Sequence, residues 1–337
     1  MPFIKLPESC VPVNNRSCAR SEAPLLVIVG PTAAGKTAVA VECCLALGGE
    51  LVSADSMQVY RHLDIGTSKP TPEERRGIPH HCLDLVEPDE EYSVARYQAD
   101  AGAAITDIHA RGKLPVLCGG TGLYIRAVLY GLDLPIAAAD WDLRARLEDE
   151  AQRHGAQALH DRLRQVDPVA AARIHPHNVR RVVRALEVYV LTGRPISSHH
   201  RLDQAPPAKY NVLAFGLNLP RGELYRRIDA RVEAMMARGL LEEVRRLADR
   251  GYSQDMTSMK GLGYRQLAQH LRGEATLEAA VRLIKRDTRH YARRQLTWFR
   301  AEPDLRWIAV DAAGGNIAVA KIICDSFSPP GLPTLSS

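Results

Sequence analysis

Short apolar runs and longer stretches with helical spacing alternate through the first third of the chain. Residues 25–29 and 114–118 are apolar runs of the length expected for buried strands, and residues 50–54, which read Glu-Leu-Val-Ser-Ala, are predicted to form another strand. A helix is predicted after the first strand over 37–47, ended by Gly48 and Gly49, and another before the third strand over 93–108, capped by Ser93. The order strand, helix, strand, helix, strand predicts an α/β core with a parallel sheet.

The pattern changes after residue 139. Residues 140–204 have helical spacing interrupted by glycine and proline and contain no run typical of a strand. Beyond them the pattern predicts a strand over 209–217, one long amphipathic helix through residue 247, a short helix opening within 260–266, a helix over 282–300 and a last strand over 305–310. Residues 60–89, between the second strand and the second helix, are predicted to be a loop.

The first strand leads directly into a phosphate-binding pattern. Residues 30–37 read Gly-Pro-Thr-Ala-Ala-Gly-Lys-Thr, which fits G-x-x-x-x-G-K-[ST] between a strand and a helix. Gly30 and Gly35 let the backbone turn so that successive N–H groups point at an anion. Lys36 adds a positive charge, and Thr37 offers a hydroxyl to Mg²⁺. The pattern predicts a site for a phosphate chain and leaves open which molecule carries that chain.

This motif also defines the predicted architecture. We predict an α/β fold in which a P-loop NTPase-like parallel sheet core carries a helical insertion domain. The predicted parts are a flexible N-terminal extension (1–22), the core with its C-terminal helices (23–139 plus 205–312), the helical insertion domain (140–204), and a C-terminal tail (313–337) that is disordered after residue 326.

Two polar residues follow strands of the predicted sheet. Asp55 comes directly after the second strand, and Thr121 follows the third. Because the carboxyl ends of parallel strands meet at one edge, both are expected near the loop of residues 30–37. A carboxylate beside a phosphate chain can hold Mg²⁺ or remove a proton from a nucleophile. The alternative for Asp55 is a helix N-cap, and its position does not decide between these roles.

Composition narrows the class of protein. The 337 residues are 46% hydrophobic and 25% charged, with a net charge of +5, which is ordinary for a globular protein. No apolar run approaches the length of about 18 residues that a membrane span requires, and the polar N-terminus has no signal-peptide core. The seven cysteines form no C-x-x-C pair and are typical of reduced thiols. We therefore predict a cytoplasmic protein.

Histidine and arginine residues raise two further alternatives. The adjacent pair His80 and His81 could ligate a metal, but no other ligand follows at a fixed spacing, which favours a structural role. Arginine is concentrated in residues 173–201 of the predicted insertion, where Glu187 is nearly isolated, and in the helix over 282–300. Such clusters form either a solvated helical face or a surface for nucleic acid, and the low content of acidic residues in both favours nucleic acid.

A set of motifs, in order from residue 25 to residue 300, closely resembles the tRNA dimethylallyltransferases. The matching segments are the phosphate loop 30–37, Ser-Ala-Asp-Ser-Met-Gln-Val-Tyr at 53–60, Asp-Ile-Gly-Thr-Ser-Lys-Pro at 64–70, Pro-His-His at 79–81, Gly-Gly-Thr-Gly-Leu-Tyr at 119–124, Arg-Ala-Leu-Glu-Val at 184–188 and Gly-Tyr-Arg-Gln at 263–266. Eukaryotic members carry a further C-terminal zinc finger. The tail here contains Cys324 and no histidine, so the resemblance is to the bacterial type.

The resemblance implies a reaction. Family members transfer a dimethylallyl group from dimethylallyl diphosphate to N6 of the adenosine 3′-adjacent to the anticodon, in tRNAs that read codons beginning with U, and release diphosphate. It implies Mg²⁺ as the cofactor and the tRNA anticodon stem-loop as the macromolecular partner. No membrane and no obligate protein partner are expected.

The resemblance also implies roles for individual residues. Asp55 matches the base, Thr121 its partner near the amine, and Arg231 a catalytic arginine, with Arg227 as a second candidate. The implied diphosphate-binding residues are Gly30, Thr32, Ala33, Ala34, Gly35, Lys36 and Thr37, of which Thr37 would also meet Mg²⁺. The implied tRNA-binding residues are Asp55, Ser56, Met57, Gln58, Thr121, Arg144, Arg180, Arg181, Arg184, Lys260, Gly263, Tyr264 and Arg265.

Three other functions share parts of this pattern. A relative that prenylates free adenine nucleotides would need neither the basic insertion nor the segment 260–265. A small-molecule kinase would share the phosphate loop but would require ATP. A non-catalytic RNA-binding protein would not need an intact Lys36, Thr37 and Asp55.

Overall fold

The computed structural model describes residues 23–132, 140–199 and 209–327. The predicted N-terminal extension, both junctions of the predicted insertion, and the end of the predicted tail lie outside the described residues. The divisions proposed there remain predictions.

One parallel sheet forms the centre of the described structure. Its strands are β1 (Pro24–Val29), β2 (Gly49–Ala54), β3 (His80–His81), β4 (Leu114–Gly119), β5 (Asn211–Asn218) and β6 (Arg306–Ala309). In space they follow the order β3-β2-β4-β1-β5-β6, and each neighbouring pair is parallel. The strand order reverses at β1, so a crevice opens beyond its carboxyl end, where ligands of such sheets bind. The predicted α/β fold with a parallel sheet is confirmed.

Helices bury both faces of this sheet. Leu26 and Ile28 of β1 face one side, and Leu25, Val27 and Val29 face the other; all five side chains are fully buried. Burial on both faces explains why the strand reads as a continuous apolar run rather than an alternating one. The helices on the first side include α1 (Lys36–Leu47) and α14 (Asn316–Phe327), and those on the second include α3 (Val94–Ala110) and α4 (Gly122–Tyr130).

The remaining helices form two further groups. In the first, α10 (Arg221–Ala237), α11 (Leu240–Asp249), α12 (Tyr264–Leu271) and α13 (Leu277–Arg300) share a hydrophobic cluster that includes Val232, Val244 and Leu267, and the short helix α2 (Pro72–Arg75) precedes β3. The predicted insertion contains α5 (Trp141–His154), α6 (Ala156–Val166), α7 (Pro168–Arg173), α8 (Val179–Thr192) and α9 (Ile196–His199). These five helices enclose a hydrophobic cluster of their own, which includes Leu147, Leu159 and Val182.

The segment predicted as a loop over residues 60–89 is partly regular. It contains α2, whose N-cap Thr71 accepts a hydrogen bond from the Glu74 amide, and the two-residue strand β3, in which His80 pairs with Leu51. The prediction was wrong here because two residues are too few for hydrophobic periodicity to indicate a strand.

Two further predictions were wrong. The long helix expected through residue 247 is two helices, because Gly239 has a φ of 93° and ends the first of them. Glycine adopts this left-handed region without a steric penalty. The tail expected from residue 313 includes α14, whose Val319 and Ile323 are fully buried against the core, so this part belongs to the fold. Within the described ranges, no helix is both long and apolar enough to cross a membrane.

Candidate active site

The phosphate loop connects β1 to α1 at the carboxyl edge of the sheet. Gly35 has a φ of 88°, and α1 begins at the next residue, so the first free N–H groups of the helix face the loop. A Cβ atom on Gly30 would lie 2.6 Å from the Leu217 carbonyl oxygen of β5, so no larger residue fits there. Ala33 adopts a φ of 65° without being glycine. This backbone forms a cradle for an anion.

Lys36 is the positive charge of this cradle. Its Nζ donates a hydrogen bond to the Pro31 carbonyl oxygen at 2.8 Å, which closes the loop. Burial lowers the pKa of Lys36 to about 8, and the nearby guanidinium of Arg231 acts in the same direction, whereas Asp55 opposes it. An anion bound in the cradle would favour the charged ammonium.

We expect the binding of inorganic pyrophosphate to weaken as the pH rises through about 8. Below this value Lys36 is charged and attracts the anion; above it, binding requires the uptake of a proton, so the dissociation constant should rise about tenfold per pH unit. The neighbouring Cys118 and Tyr291 have pKa values raised to about 12, mainly by burial, and stay protonated in this range. Titration calorimetry over a pH series measures the effect. Lys36→Arg keeps its charge and should lose this fall, so that only the titration of pyrophosphate itself remains; an equally steep fall in that variant would assign the titration to another group.

Asp55 begins a tight turn after β2 and does not cap a helix. Its Oδ1 accepts a hydrogen bond from the Met57 amide at 2.8 Å, and no α-helix starts at this turn. Thr121 stands at the start of α4, yet its hydroxyl does not cap that helix. Instead, its Oγ1 accepts from the Ser56 amide at 3.1 Å. The structure therefore brings Asp55 and Thr121 together through the backbone of Ser56.

Two cavities meet at Asp55. The first, which we call the narrow cavity, has a volume of about 90 Å³ and is lined by residues that include Thr32, Lys36 and Thr37 of the phosphate loop. The second, the wide cleft, has a volume of about 580 Å³ and is lined by residues 55–57, 66–67, 260–265 and one face of α13. Asp55 borders both, as do Thr32, Arg231 and Tyr291. A group bound in the cleft can therefore reach Asp55 beside a phosphate chain bound in the cavity.

Arg231 brings a second positive charge to this junction. Its guanidinium has no hydrogen bond or salt bridge to any residue that the structure describes, and burial lowers its pKa from the ordinary value. Arg227, one turn earlier on α10, donates a hydrogen bond from Nε to Glu223 at 2.6 Å and borders neither cavity. The geometry therefore favours Arg231 over Arg227 as the arginine that meets a bound phosphate chain.

A buried carboxylate builds one wall of the wide cleft. Glu243 of α11 accepts hydrogen bonds from the amides of Asp64, Ile65 and Gly66 at 2.8–3.1 Å. It also accepts one from the Tyr264 hydroxyl at 2.7 Å. The Tyr264 ring is 1% exposed and lies against Gly66, where a Cβ atom would be 2.5 Å from the ring. Its side chain supports the cleft from within, and in this structure the ring presents no free face on which a base could stack.

Comparison with known proteins gives the family. The family model described as IPP transferase matches residues 58–302, and the model described as isopentenyl transferase matches residues 23–85. The chain belongs to the IPP transferase family. The family membership predicted from the ordered motifs is confirmed.

Relatives in this family are similar to this chain over 74–97% of their own length. The tRNA dimethylallyltransferase of Desulforudis audaxviator is 53% identical over 304 residues, which cover 90% of this chain and 97% of the relative. That of Roseiflexus castenholzii is 56% identical over 289 residues, or 86% and 94%. The crystal structure of the tRNA isopentenylpyrophosphate transferase of Bacillus halodurans has a TM-score of 0.65 at 44% identity, covering 90% and 96%. A eukaryotic dimethylallyltransferase acting on tRNA has a TM-score of 0.73 at 29% identity, covering 86% and 74%.

The site of this IPP transferase family member includes residues that the sequence interpretation missed. Gln295 of α13 accepts a hydrogen bond from the Thr32 amide at 2.8 Å and donates one to the Gly120 carbonyl at 3.0 Å, so it joins the phosphate loop to the loop after β4. Tyr291, one turn earlier, borders both cavities. The signal in the sequence is their spacing of four residues, which places both on one face of the helix.

The other predicted residues divide into cleft and insertion. Ser56, Met57, Lys260, Gly263 and Arg265 line the wide cleft. Gln58 has a supporting contact, because its Nε2 donates to the carbonyls of residues 67 and 68 while its Oε1 accepts from the Ser53 hydroxyl.

The predicted arginines of the insertion border neither cavity. Arg144 and Arg184 both bind Glu187, which is fully buried, with Nε and Nη1 contacts of 2.8 and 2.6 Å. Although burial opposes it, these hydrogen bonds hold the pKa of Glu187 below its ordinary value. Arg180 and Arg181, which lie on α8 with Arg184, are exposed and have no partner among the described residues. The four arginines thus differ: two organise the insertion and two remain available to a ligand.

The donor set at the phosphate loop fits Mg²⁺. Thr37 and Asp55 both line the narrow cavity and offer a hydroxyl and a carboxylate. Within the described residues, no cluster of three or more histidine, cysteine or acidic side chains could hold a metal ion. Mg²⁺ in phosphate-binding sites is commonly held by one or two protein oxygens, phosphate oxygens and waters. Thr37 would therefore bind Mg²⁺ together with phosphate oxygens and waters, which leaves the Asp55 carboxylate free to act as a base, and His80 and His81 form no metal site by themselves.

Proposed function

We propose that the protein transfers a dimethylallyl group from dimethylallyl diphosphate to N6 of the adenosine 3′-adjacent to the anticodon of tRNA, with release of diphosphate. The observation that carries this proposal is the position of Asp55 between the narrow cavity and the wide cleft. A diphosphate in the cavity and a base in the cleft would meet at this carboxylate. The names of the relatives and the tRNA substrate of the eukaryotic structure support the same reaction.

The acceptor half of the reaction needs a base. The exocyclic amine of adenine is a weak nucleophile because its lone pair is delocalised into the ring. Asp55 would accept a proton from this amine as the new C–N bond forms, and Thr121 would orient the amine. The adenosine must leave its stack to reach Asp55, as substrates of other base-modifying enzymes do, and the wide cleft provides the volume for it.

The donor half needs positive charge where the diphosphate leaves. As the allylic C–O bond breaks, negative charge grows on the departing oxygen. The amides of the phosphate loop, Lys36 and Arg231 would stabilise this charge. Mg²⁺ held by Thr37 and the diphosphate would supply further charge neutralisation. Asp55 and Arg231, which border both cavities, would hold the adenine amine and the allylic carbon in the relative position that the reaction needs. We place the reaction in the cytoplasm, where tRNA is available, and propose that it requires no partner protein.

The test is a transfer assay without ATP. The protein is incubated with labelled dimethylallyl diphosphate and Mg²⁺, and with either a tRNA that carries the target adenosine or AMP. We expect label in the tRNA and none in AMP. The matched control is the same tRNA with guanosine in place of the target adenosine, which should remain unlabelled. Transfer to AMP would identify a nucleotide prenyltransferase, and a strict ATP requirement would identify a kinase.

The exposed arginines of α8 give a separate prediction about tRNA binding. Arg180→Ala with Arg181→Ala should weaken tRNA binding and leave dimethylallyl diphosphate binding unchanged. If each arginine contacts one phosphate, the slope of log K against log salt should flatten by roughly 0.7–0.9 for each, or about 1.5 for the pair. Filter binding over a salt series measures this slope.

A matched pair of arginines serves as the control. Arg245 and Arg246 are also adjacent, exposed and without a partner in the described chain, but they lie on α11. Their double alanine variant removes the same charge and should keep the wild-type slope. If both variants and the wild type gave equal slopes, Arg180 and Arg181 would belong to a solvated helical face and would not contact tRNA.

A further inference from the structure

His80 stands on the edge strand β3 with one ring nitrogen satisfied and the other unpaired. Its Nδ1 lies 2.8 Å from the Ile78 carbonyl oxygen. Its Nε2 is buried and has no hydrogen-bond partner among the residues that the structure describes. Buried polar atoms in native proteins nearly always have a partner, so an orphaned one requires an explanation.

The contact with Ile78 determines the chemistry of the free nitrogen. A carbonyl oxygen only accepts hydrogen bonds, so Nδ1 must carry the proton of the ring. Burial lowers the pKa of His80, which keeps the ring neutral, although the hydrogen bond to Ile78 opposes this shift. In this tautomer Nε2 is an acceptor. The buried Nε2 atom therefore requires a hydrogen-bond donor.

His80 lines the narrow cavity, where three neighbouring side chains already donate to other groups of the protein. Lys36 donates to the Pro31 carbonyl, and the Ser53 hydroxyl donates to Gln58. The Gln58 amide donates to the carbonyls of residues 67 and 68. No donor among the described residues reaches Nε2, so a molecule that fills the cavity can supply one.

The adjacent histidine has a different environment. Successive residues of a strand point to opposite faces, and the Nε2 of His81 lies 2.8 Å from the buried carboxylate of Glu50. Glu50 also binds Arg111 and Lys113, so His81 belongs to a structural ion network. The pair therefore divides into one structural histidine and one that faces the phosphate site.

We infer that Nε2 of His80 accepts an O–H hydrogen bond from the ligand in the narrow cavity, donated either by a water on diphosphate-bound Mg²⁺ or by a protonated phosphate oxygen. The inference rests on the proposed diphosphate site. Loop amides, Lys36 and Arg231 can all donate to bare phosphate oxygens. The lone pair of a neutral imidazole nitrogen is repelled by a phosphate oxygen that carries no proton. His80 therefore binds the hydrated or protonated part of the ligand, and this contact favours a single orientation of the ligand. His80 is thus a positioning residue for dimethylallyl diphosphate, the substrate that donates the prenyl group.

Binding of inorganic pyrophosphate with Mg²⁺ tests this by calorimetry. His80→Asn keeps an N–H near Ile78 and removes the Nε2 acceptor, and we expect it to weaken binding about 3- to 10-fold, the usual effect of one hydrogen bond. His80→Gln restores an acceptor near the Nε2 position and should recover part of the loss. His81→Asn is the matched control and should bind within about twofold of wild type. Equal affinities for His80→Asn and wild type would overturn the inference while leaving the phosphate site intact.

The wild-type protein gives an independent readout. In protein labelled with ¹⁵N-histidine, the His80 signals are identified by their absence in His80→Asn, and we expect the Nε2 resonance to shift when the ligand binds. A shift that requires both Mg²⁺ and pyrophosphate identifies metal-bound water as the donor. A shift with pyrophosphate and a chelator identifies the protonated phosphate. No shift in either arm, with binding shown by calorimetry, would mean that a water of the free protein already satisfies Nε2. Wild type that binds no pyrophosphate would overturn the diphosphate site together with the inference.

Discussion

Asp55→Asn is expected to lower the rate of transfer about 10²- to 10⁴-fold, the usual range for a positioned general base. Asparagine keeps an oxygen that can accept from the Met57 amide, so the turn after β2 should survive the change. It cannot accept the proton of the adenine amine. The binding of dimethylallyl diphosphate, which depends on the phosphate loop, should change only a fewfold. Single-turnover rates with saturating tRNA, together with calorimetry for the donor, separate the two effects.

A second carboxylate provides the control for this variant. Asp89 is exposed and borders neither cavity, so Asp89→Asn makes the same chemical change away from the site and should retain the wild-type rate. A near-normal single-turnover rate for Asp55→Asn would contradict the base assignment. In that case Asp55 would be the anchor of a turn, and the proton would leave by another route.

Sequence patterns predicted the phosphate loop and the edge of the sheet because both depend on local rules. A buried strand, two glycines and a helix start lie within fifteen residues, and the carboxyl ends of parallel strands must share an edge. Asp55 and Thr121, separated by 66 positions, could therefore be placed together without knowledge of the structure. The structure adds what this rule cannot provide, which is the hydrogen bond from the Ser56 amide to Thr121.

Such local rules cannot predict contacts between elements that are far apart in the sequence. Gln295 meets the Thr32 amide across 263 positions, and only the packing of α13 against the sheet edge brings them together. The resemblance to the family implies that Tyr264 contacts tRNA. Its hydroxyl donates to the buried Glu243, and no periodicity reveals that a tyrosine in a basic segment points inward. The break at Gly239 and the buried helix α14 likewise depend on backbone conformation and tertiary burial.

Glu243 is expected to contribute more to stability than any other single polar side chain near the wide cleft. Glu243→Ala would leave three loop amides and the Tyr264 hydroxyl without their acceptor in a buried environment. Hydrogen bonds to a charged group contribute about 1.5–3 kcal/mol each, and rearrangement of the loop recovers part of the loss, so we expect destabilisation of about 3–5 kcal/mol. Urea unfolding should show a lower midpoint with an unchanged m-value.

Two variants show whether this effect comes from the buried acceptor. Glu242→Ala, on the exposed face of the same helix, should change the free energy of unfolding by no more than about 0.5 kcal/mol. Tyr264→Phe removes one of the four donors and keeps the ring against Gly66, so it should cost about 1–2 kcal/mol. The loosened loop in Glu243→Ala should also raise the KM for tRNA, because residues 66 and 67 line the cleft. If Glu243→Ala unfolded at the same urea concentration as the wild type, water would satisfy the loop amides. Packing alone would then stabilise this wall of the cleft.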